Sequence, residues 1–543
     1  MATRPQPTVH RRARLQSRSS IRARRTFGLV LAAFILSLAA GTTWYRTVSA
    51  PALGLAAVQT EAARVAAGAA APKVPTATRG PAAITATASL PTQAPAPAPT
   101  QVVSATPDLP ILYYSQAGDT LAAIAIRFNV EASSVTSPDP IASEKYLNPG
   151  QLLMVPNRVS NTTSSTHIMP DSEVTFSPSG LDLNVEEFVN KAGGFLSRYT
   201  EYLGTTGTTS GAKIIERVAV EYSVNPRLLL ALIEYRSHWV YSQPTNLAET
   251  DYPMGVVDIQ QKGLYKQLTW AVGHLSEGYY GWREGKMVSL TFTDQVTRRL
   301  APDLNAGSAA VAVLFANLYS SERWAGAVYG PDSYPALYEK MFGNPWLRSQ
   351  TVEPLFPADL SQPELVLPFA PNQVWSFSGG PHAAFGAAGA RAALDFAPGS
   401  TTSGCFTALQ WVQAVATGLV VRSDHAVVVV DLDGDGHEQT GWNILYLHIA
   451  TDGRVPVGTK VSVGDRIGHP SCEGGLATGT HVHIARKYNG EWMLAGGPIP
   501  FVLDGWSAHT GVEPYQGWLT RGTERVNACT CSSPDTYISR PPP

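Results

Sequence analysis

Two histidines near the C-terminal end of the chain, His481 and His483, stand two residues apart in the strand-like run TGTHVHIAR. Successive residues of a β-strand point to opposite faces, so an H-x-H pair directs both imidazoles into the same groove. Imidazole is a usual zinc ligand, and a catalytic zinc has three protein ligands and an open position for water. A solvated strand face has the same spacing, so the pair indicates a metal site only together with further ligands.

Further ligand candidates precede this pair. His382 and Asp395 lie in the turn-prone segment GGPHAAFGAAGARAALDFAPG, and His448 ends the apolar run NILYLHIA. We predict that His382, Asp395 and His483 donate three ligand atoms and leave a fourth position open. His448 and His481 are then expected beside the reacting water. Taken alone, His448 would be read as a partly buried histidine at a strand end.

Residues 362–505 resemble the zinc metallopeptidases of the lysostaphin and β-lytic type, which cut peptide bonds in bacterial cell-wall peptidoglycan. In many lysostaphin-like members the first histidine lies four residues before the aspartate, where this chain has Arg391. The β-lytic subgroup has that histidine further upstream in a GG-x-H context, as His382 does. The motifs that carry the resemblance occur in family order and are GGPH, ALDFAPG, WVQAVATGLVV, LYLHI, VPVGTKVSVGDRIGHPSCEGG and GTHVHIARKYNGEW.

The resemblance implies a role for each of the five polar residues. His382, Asp395 and His483 would bind Zn²⁺, which lowers the pKa of a bound water and so supplies hydroxide near neutral pH. His481 would move the proton from the water to the leaving amine. His448 would help to stabilise the oxyanion of the tetrahedral intermediate.

The region around these residues alternates short β-prone runs with Gly, Pro and Asp turns. This pattern predicts an all-β, mostly antiparallel domain over 362–505, followed by a C-terminal tail, 506–543. The loop DLDGDGHEQTGW, which starts at Asp431, resembles a calcium loop, but Trp442 occupies the position of the bidentate glutamate. A hairpin loop is therefore favoured there.

Residues 110–158 resemble a LysM module, a β-α-α-β unit that binds glycans containing N-acetylglucosamine. AGDT predicts a turn and a helix N-cap, LAAIAIRF has helical spacing, and NPGQLLMVP predicts a turn and a short strand. The segment SSVTSPDP marks the second helix poorly because it is rich in helix breakers. A Ser/Thr-rich linker, 159–180, follows the module.

Residues 181–350 are predicted to be mainly helical. The segments IIERVAVEY, PRLLLALIEYRSHWV, NAGSAAVAVLFANLY and YPALYEKMF all repeat apolar residues at three- or four-residue spacing. SVNPRLLLALIEYRSHWV is similar to the start of lysozyme-like lytic transglycosylase domains. Arg236 occupies the place of the catalytic acid, and a guanidinium cannot protonate a glycosidic oxygen. Glu234 lies on another face of the helix, so we predict a non-catalytic domain that contacts glycan or acts as a spacer.

The front of the chain predicts export. Residues 1–26 form a basic leader, and residues 27–45 are uncharged and long enough for a transmembrane helix whose N-terminal side stays in the cytoplasm. A cleaved signal peptide is the alternative, because Val48-Ser49-Ala50 resembles a cleavage site. Residues 46–109 are rich in Ala, Pro and Thr and predict an extended linker. The protein is thus expected in the cell envelope, anchored in the cytoplasmic membrane, or secreted if the leader is cleaved.

Net charge and cysteine content limit the classes of partner and cofactor. The net charge of −2 argues against nucleic-acid binding. Four cysteines in an exported chain predict two disulfides, with Cys405 and Cys472 as the expected pair inside the peptidase-like region. A Cys529–Cys531 bond would close a tight ring, so cross-pairing to the tail stays open. A zinc-thiolate site is disfavoured because no second C-x2–4-C pair is present.

The sequence as a whole predicts a multidomain protein with an N-terminal transmembrane helix, a small α+β LysM module, a mainly α lysozyme-like domain and an all-β antiparallel metallopeptidase domain. The expected function is a zinc endopeptidase that hydrolyses stems or cross-bridges of peptidoglycan. A catalytically silent wall-binding scaffold or amidase activator is the alternative. A lytic transglycosylase is disfavoured by Arg236.

Overall fold

The computed structural model describes residues 109–357, 359–399, 404–531 and 533–542. A small β-α-β module begins this described part of the chain. Strand β1 (Ile111–Tyr114) pairs antiparallel with β2 (Leu152–Val155), and helix α1 (Leu121–Phe128) lies between them in the chain. Thr120 caps α1 by accepting a hydrogen bond from a backbone amide, as the AGDT segment predicts. A single 3-10 turn, Ala132–Ser134, follows α1 where the LysM resemblance implies a second helix. The sugar-binding role of this module stays a prediction.

The middle of the chain is mainly helical, and each of the four segments with helical spacing forms a helix. Two short antiparallel pairings accompany the helices: β3 (Thr200–Leu203) with β4 (Gly207–Ser210), and β5 (Ser289–Thr291) with β6 (Thr297–Arg299). The helices in this described part are α2 (Asp171–Val174), α3 (Val185–Ala192), α4 (Gly211–Tyr222), α5 (Pro226–Ser237), α6 (Leu247–Asp251), α7 (Leu264–Arg283), α8 (Ala306–Leu318), α9 (Ser321–Tyr329), α10 (Tyr334–Phe342) and α11 (Pro345–Ser349).

Helix α5 carries the two residues that bear on glycan cleavage. Glu234 Oε2 accepts hydrogen bonds from the backbone amides of Val240 and Tyr241 at 2.9 and 3.1 Å. Arg236 donates from Nε to Met254 O at 3.0 Å. Both side chains therefore bind backbone groups of the segment that follows the helix. The non-catalytic role of this region stays a prediction.

The C-terminal region forms a nine-stranded sheet in which all strand pairs are antiparallel, and this confirms the all-β antiparallel prediction. Its strands are β7 (Val374–Ala383), β8 (Arg391–Pro398), β10 (Gly418–Asp424), β11 (Val427–Asp431), β12 (Trp442–Leu447), β13 (Lys460–Val461), β15 (Val482–Tyr488), β16 (Glu491–Trp492) and β21 (Tyr537–Ser539). They follow the order β13-β10-β11-β12-β15-β8-β7-β21, and β16 pairs with β15. Two smaller sheets comprise β9 (Val412–Gln413) with β14 (Arg466–Gly468), and β17 (Val502–Leu503), β18 (Trp506–Thr510), β19 (Gly517–Arg521) and β20 (Glu524–Asn527).

The large sheet is buried on both faces. Val427 and Val429 of β11 belong to the same hydrophobic core as the helices, whereas Val428 and Val430 belong to a second core that includes β17 to β20. A strand that is covered on both sides has no polar alternation, which is the physical reason for the unbroken valine run. The loop that starts after Asp431 joins two antiparallel neighbours, β11 and β12, so the hairpin prediction is confirmed.

Two disulfides are present. Cys405 is bonded to Cys472, which confirms the expected pair. Cys529 is bonded to Cys531, so these two cysteines of the tail do not pair with those of the sheet domain. Both bonds lie in or after the sheet domain.

No helix among the described residues is both long enough and apolar enough to cross a membrane. The predicted span, 27–45, the basic leader and the linker to residue 108 lie outside the described residues.

Candidate metal centre

Adjacent strands of the large sheet carry the three predicted ligands. His483 in β15 and Asp395 in β8 are direct register partners, and Asp395 is in turn opposite Gly379 of β7. His382 lies near the end of β7, after two irregularities in its pairing with β8. The antiparallel register therefore brings together residues that are 101 positions apart in sequence.

The donor atoms of these residues form a small triangle. Nε2 of His382 and Nδ1 of His483 are each 3.3 Å from Oδ1 of Asp395. The two nitrogens are 2.9 Å apart. Donors that bind one zinc ion tetrahedrally at about 2.0–2.1 Å lie roughly 3.3 Å from one another. The triangle therefore has the size of one face of a tetrahedral zinc site.

Hydrogen bonds to the backbone fix the tautomers of both histidines. His382 donates from Nδ1 to Gly380 O at 2.8 Å, and His483 donates from Nε2 to Ala384 O at 3.0 Å. In the neutral ring the other nitrogen then carries a lone pair. These two lone pairs face each other and a carboxylate oxygen, Asp395 Oδ1, which is buried without a hydrogen bond. Three acceptors that converge without a donor fit a bound cation.

His481 and His448 lie beside the triangle. Nε2 of His481 is 3.7 Å from Asp395 Oδ1, and the ring centroids of His448 and His481 are 4.5 Å apart. Each ring donates from Nδ1 to a backbone carbonyl at 2.8 Å, His481 to Gly479 and His448 to Glu473. The neutral form of each ring therefore has a basic Nε2. The structure thus brings all five predicted residues together.

The electrostatics of the centre favour an ionised Asp395 and neutral His448 and His483. Burial lowers the pKa of His382, but the facing Asp395 outweighs burial and raises this pKa. Burial opposes ionisation of Asp395, but the facing His382 and His483 outweigh it and hold its pKa well below the usual range. Burial lowers the pKa of His483. Burial, followed by repulsion from His481 and His483, lowers the pKa of His448 to about 3. Neutral imidazole and ionised carboxylate are the forms that bind a metal.

Sequence reasoning missed one aromatic residue at the centre. Tyr515 lies in the loop between β18 and β19, and its ring is stacked on His382 with centroids 4.1 Å apart. It lines a cavity of about 600 Å³ together with the five predicted residues. Nothing in the spacing of the tail distinguishes this tyrosine, because its position depends on how the hairpin folds back onto β7.

Two solved structures show a weak likeness to this chain. The M23 metalloprotease pseudoalterin from the deep sea is 24% identical and covers 32% of this chain and 96% of its own, with a TM-score of 0.26. The catalytic domain of lysostaphin from Staphylococcus simulans is 21% identical and covers 23% of this chain and 90% of its own, with a TM-score of 0.17. At these TM-scores neither likeness supports a statement about fold or activity.

Sequence comparisons give a longer match. A family model for the N-terminal domain of LasA matches residues 167–355, which is the helical region. Protease LasA from Pseudomonas aeruginosa strain UCBPP-PA14 is 25% identical over 303 residues, which cover 53% of this chain and 68% of the relative. That alignment is longer than the family match, so the likeness extends beyond the helices. The chain is therefore similar to Protease LasA, and its helical region matches the family of the LasA N-terminal domain.

Proposed function

We propose that the protein is a zinc metallopeptidase that hydrolyses peptide bonds in bacterial peptidoglycan. The observation that carries the proposal is the convergence of His382, Asp395 and His483, whose ligand atoms lie within 4.8 Å of one another. The similarity to Protease LasA supports the peptidase activity. The resemblance to lysostaphin-type and β-lytic enzymes supports peptidoglycan as the substrate.

His382, Asp395 and His483 would hold the zinc, which supplies a water of lowered pKa and polarises the scissile carbonyl. His481 receives the proton of the attacking water at its basic Nε2 and returns it to the leaving amine. His448 would help to stabilise the developing oxyanion, as the resemblance implies. This role needs a proton on Nε2, because Nδ1 already donates to Glu473 O. The backbone carbonyl of Gly479 holds His481 in the tautomer whose Nε2 can accept a proton, and the carbonyl of Glu473 orients the His448 ring.

The remainder of the chain supports action at the cell wall. The bond between Cys405 and Cys472 is typical of proteins that function in an oxidising environment outside the cytoplasm. The β-α-β module would bind N-acetylglucosamine-containing glycan, as the LysM resemblance implies. The predicted leader and linker would tether the enzyme within reach of the wall, or release it if the leader is cleaved.

Digestion of purified peptidoglycan tests the proposal. The full chain is incubated with peptidoglycan alone, with a chelator, and with the chelator followed by added zinc, and the products are identified by mass spectrometry. We expect new peptide amino termini that disappear with the chelator and return with zinc. Zinc-bound protein that releases no product would instead indicate a scaffold or amidase activator. Chelator-insensitive release of anhydro-sugars would indicate a lytic transglycosylase.

A further inference from the structure

The helical region supplies one side of the cavity at the metal centre. Arg217 and Glu221 of α4 and Tyr265 of α7 line the same cavity of about 600 Å³ as His382 and His481. A peptide bound in this cavity can therefore contact residues of the helical region as well as the metal centre. These three residues are not among those predicted from the sequence.

Close packing fixes this arrangement. The turn between β7 and β8, which follows the ligand His382, rests on α4 and α7. The rings of Phe385 and Tyr222 meet edge to face with centroids 5.4 Å apart. A methyl group added at Gly386 would lie 2.8 Å from Tyr222 Oη. The helical side of the cavity, formed by α4 and α7, and the turn that follows His382 are thus packed together as one unit.

On the helical side of the cavity, the Arg217 side chain is held in place by several contacts. Its Nε donates to Glu221 Oε1 at 2.8 Å, and its Nη1 donates to Thr205 at 2.7 Å. Tyr265 Oη donates to the other oxygen of Glu221 at 2.8 Å, and the Tyr265 ring lies 4.9 Å from the guanidinium carbon. Both oxygens of Glu221 are therefore engaged, while the Arg217 side chain retains 15% of its exposure beside the cavity. A guanidinium fixed in this way binds a further anion with little loss of entropy.

The charged groups linked to Glu221 carry a net positive charge. Glu221 also stabilises the charge of Arg422, whose own partner Glu438 is shared with Lys487. Positive groups thus outnumber carboxylates in this linked set, whose members are Arg217, Glu221, Arg422, Glu438 and Lys487. The other carboxylate near Arg422, Asp424, is 54% exposed and is screened by water.

From these contacts and from its place in the cavity, we infer that Arg217 is a specificity-determining residue. It binds a free carboxylate of the substrate peptide while the scissile bond lies at the metal centre. The inference rests on the proposed function and names the substrate class more narrowly, as peptides with a free carboxylate. The planar fork of a guanidinium matches a carboxylate, whereas a carboxamide lacks the charge for this pair. Carboxylate-bearing peptides are therefore bound more tightly than the same peptides with their carboxyl groups amidated.

Soluble muropeptides with free or amidated carboxyl groups test this inference. Muramidase-digested peptidoglycan is divided, and one half is amidated with carbodiimide and ammonia. Hydrolysis of both halves by the zinc-loaded full chain is followed by chromatography to give kcat and KM separately. We expect KM for the carboxylate form to be about tenfold lower, and Arg217→Gln to remove this difference with kcat unchanged. Arg217→Lys keeps the positive charge but lacks the planar guanidinium, so it should retain part of the difference in KM.

Lys213→Gln is the matched control, because Lys213 lies one turn earlier on α4 and its side chain is 55% exposed. This variant should behave as wild type, and thermal unfolding of every variant reports its folding. A preference that survives in Arg217→Gln, or a wild type without preference, overturns the inference and leaves the peptidase proposal standing. If wild type cleaves neither form, the proposed function fails, and calorimetric binding of the two muropeptide forms reads the same preference directly.

Discussion

At the scale of single residues, the H-x-H pair has one spacing and two environments. His483 directs Nδ1 at the carboxylate of Asp395 and anchors Nε2 on a backbone carbonyl. His481 has the opposite arrangement, with Nδ1 anchored and Nε2 towards the cavity. The hydrogen bonds of the distal nitrogens, and not the spacing, therefore separate the proposed ligand from the proposed base.

This difference predicts two separable losses. His483→Ala should remove the bound zinc, whereas His481→Ala should keep the zinc and lower kcat by about 10²–10⁴-fold, the usual contribution of a general base. Zinc content after dialysis and the rate of peptide release are measured on the same samples. Equal zinc loss in both variants would contradict the assignment of His481 as a residue beside the metal.

Glu438 makes stability depend on pH. Burial would raise the pKa of Glu438, but Arg422 and Lys487 outweigh it and lower the pKa to about 2. A carboxyl whose pKa is lower in the folded state contributes stability above its unfolded pKa of about 4.5 and loses it as the pH falls to about 2. The contribution is about 3 kcal/mol.

We therefore expect Glu438→Gln to flatten the decline in stability between about pH 4.5 and pH 2 and to destabilise the protein at neutral pH. Urea unfolding at a series of pH values measures the effect. Glu524→Gln, which removes an exposed pair with Arg521, is the control and should leave the profile unchanged. An unaltered profile in Glu438→Gln would show that this ion pair does not control acid stability.

At the scale of elements, the metal centre depends on how closely β7 approaches β8. Gly379 of β7 is the register partner of Asp395, and a methyl group there would overlap the carboxylate. The first glycine of GGPH is thus required by a strand pair that carries one ligand on each strand. A side chain at this point would displace the aspartate from the two imidazoles.

Gly379→Ala is accordingly expected to lower zinc affinity by about 10–100-fold, the range seen when residues that support a metal ligand are changed. Competition with a chromogenic chelator measures the affinity. Gly326→Ala, in helix α9, provides the control, since an added methyl group meets no atom within 4 Å. Wild-type affinity in Gly379→Ala would mean that the strand can move without disturbing the site.

At the scale of the whole molecule, Arg283 joins three regions. It donates to Ala117 O in the β-α-β module, to Asp171 at 2.9 Å in the helical region, and to Glu491 at 3.1 Å in the sheet domain. The side chains of Arg283, Asp171 and Glu491 are all buried. The regions that the sequence separates by composition are thus connected through one guanidinium.

Replacing Arg283 by methionine should leave Asp171 and Glu491 buried without their cation, at a cost of about 3–5 kcal/mol. Thermal unfolding and the rate of proteolysis between the regions should both show the loss. Arg198→Met, on the exposed surface of the helical region, should show neither. If Arg283→Met unfolds like wild type, the regions are held together by apolar packing alone.

The sequence by itself determined the chemistry and the element types. Residue type fixed the five polar candidates, strand and helix periodicity fixed most elements, and cysteine usage fixed one disulfide, because these depend on local spacing and on the chemistry of side chains. Only the tertiary structure decided that Tyr515 stacks on His382, that Gly379 meets Asp395, and that Arg217 lines the same cavity as the metal centre. These contacts arise from strand register and from packing of helices on the sheet, which couple residues more than a hundred positions apart and leave no periodic signal in the chain.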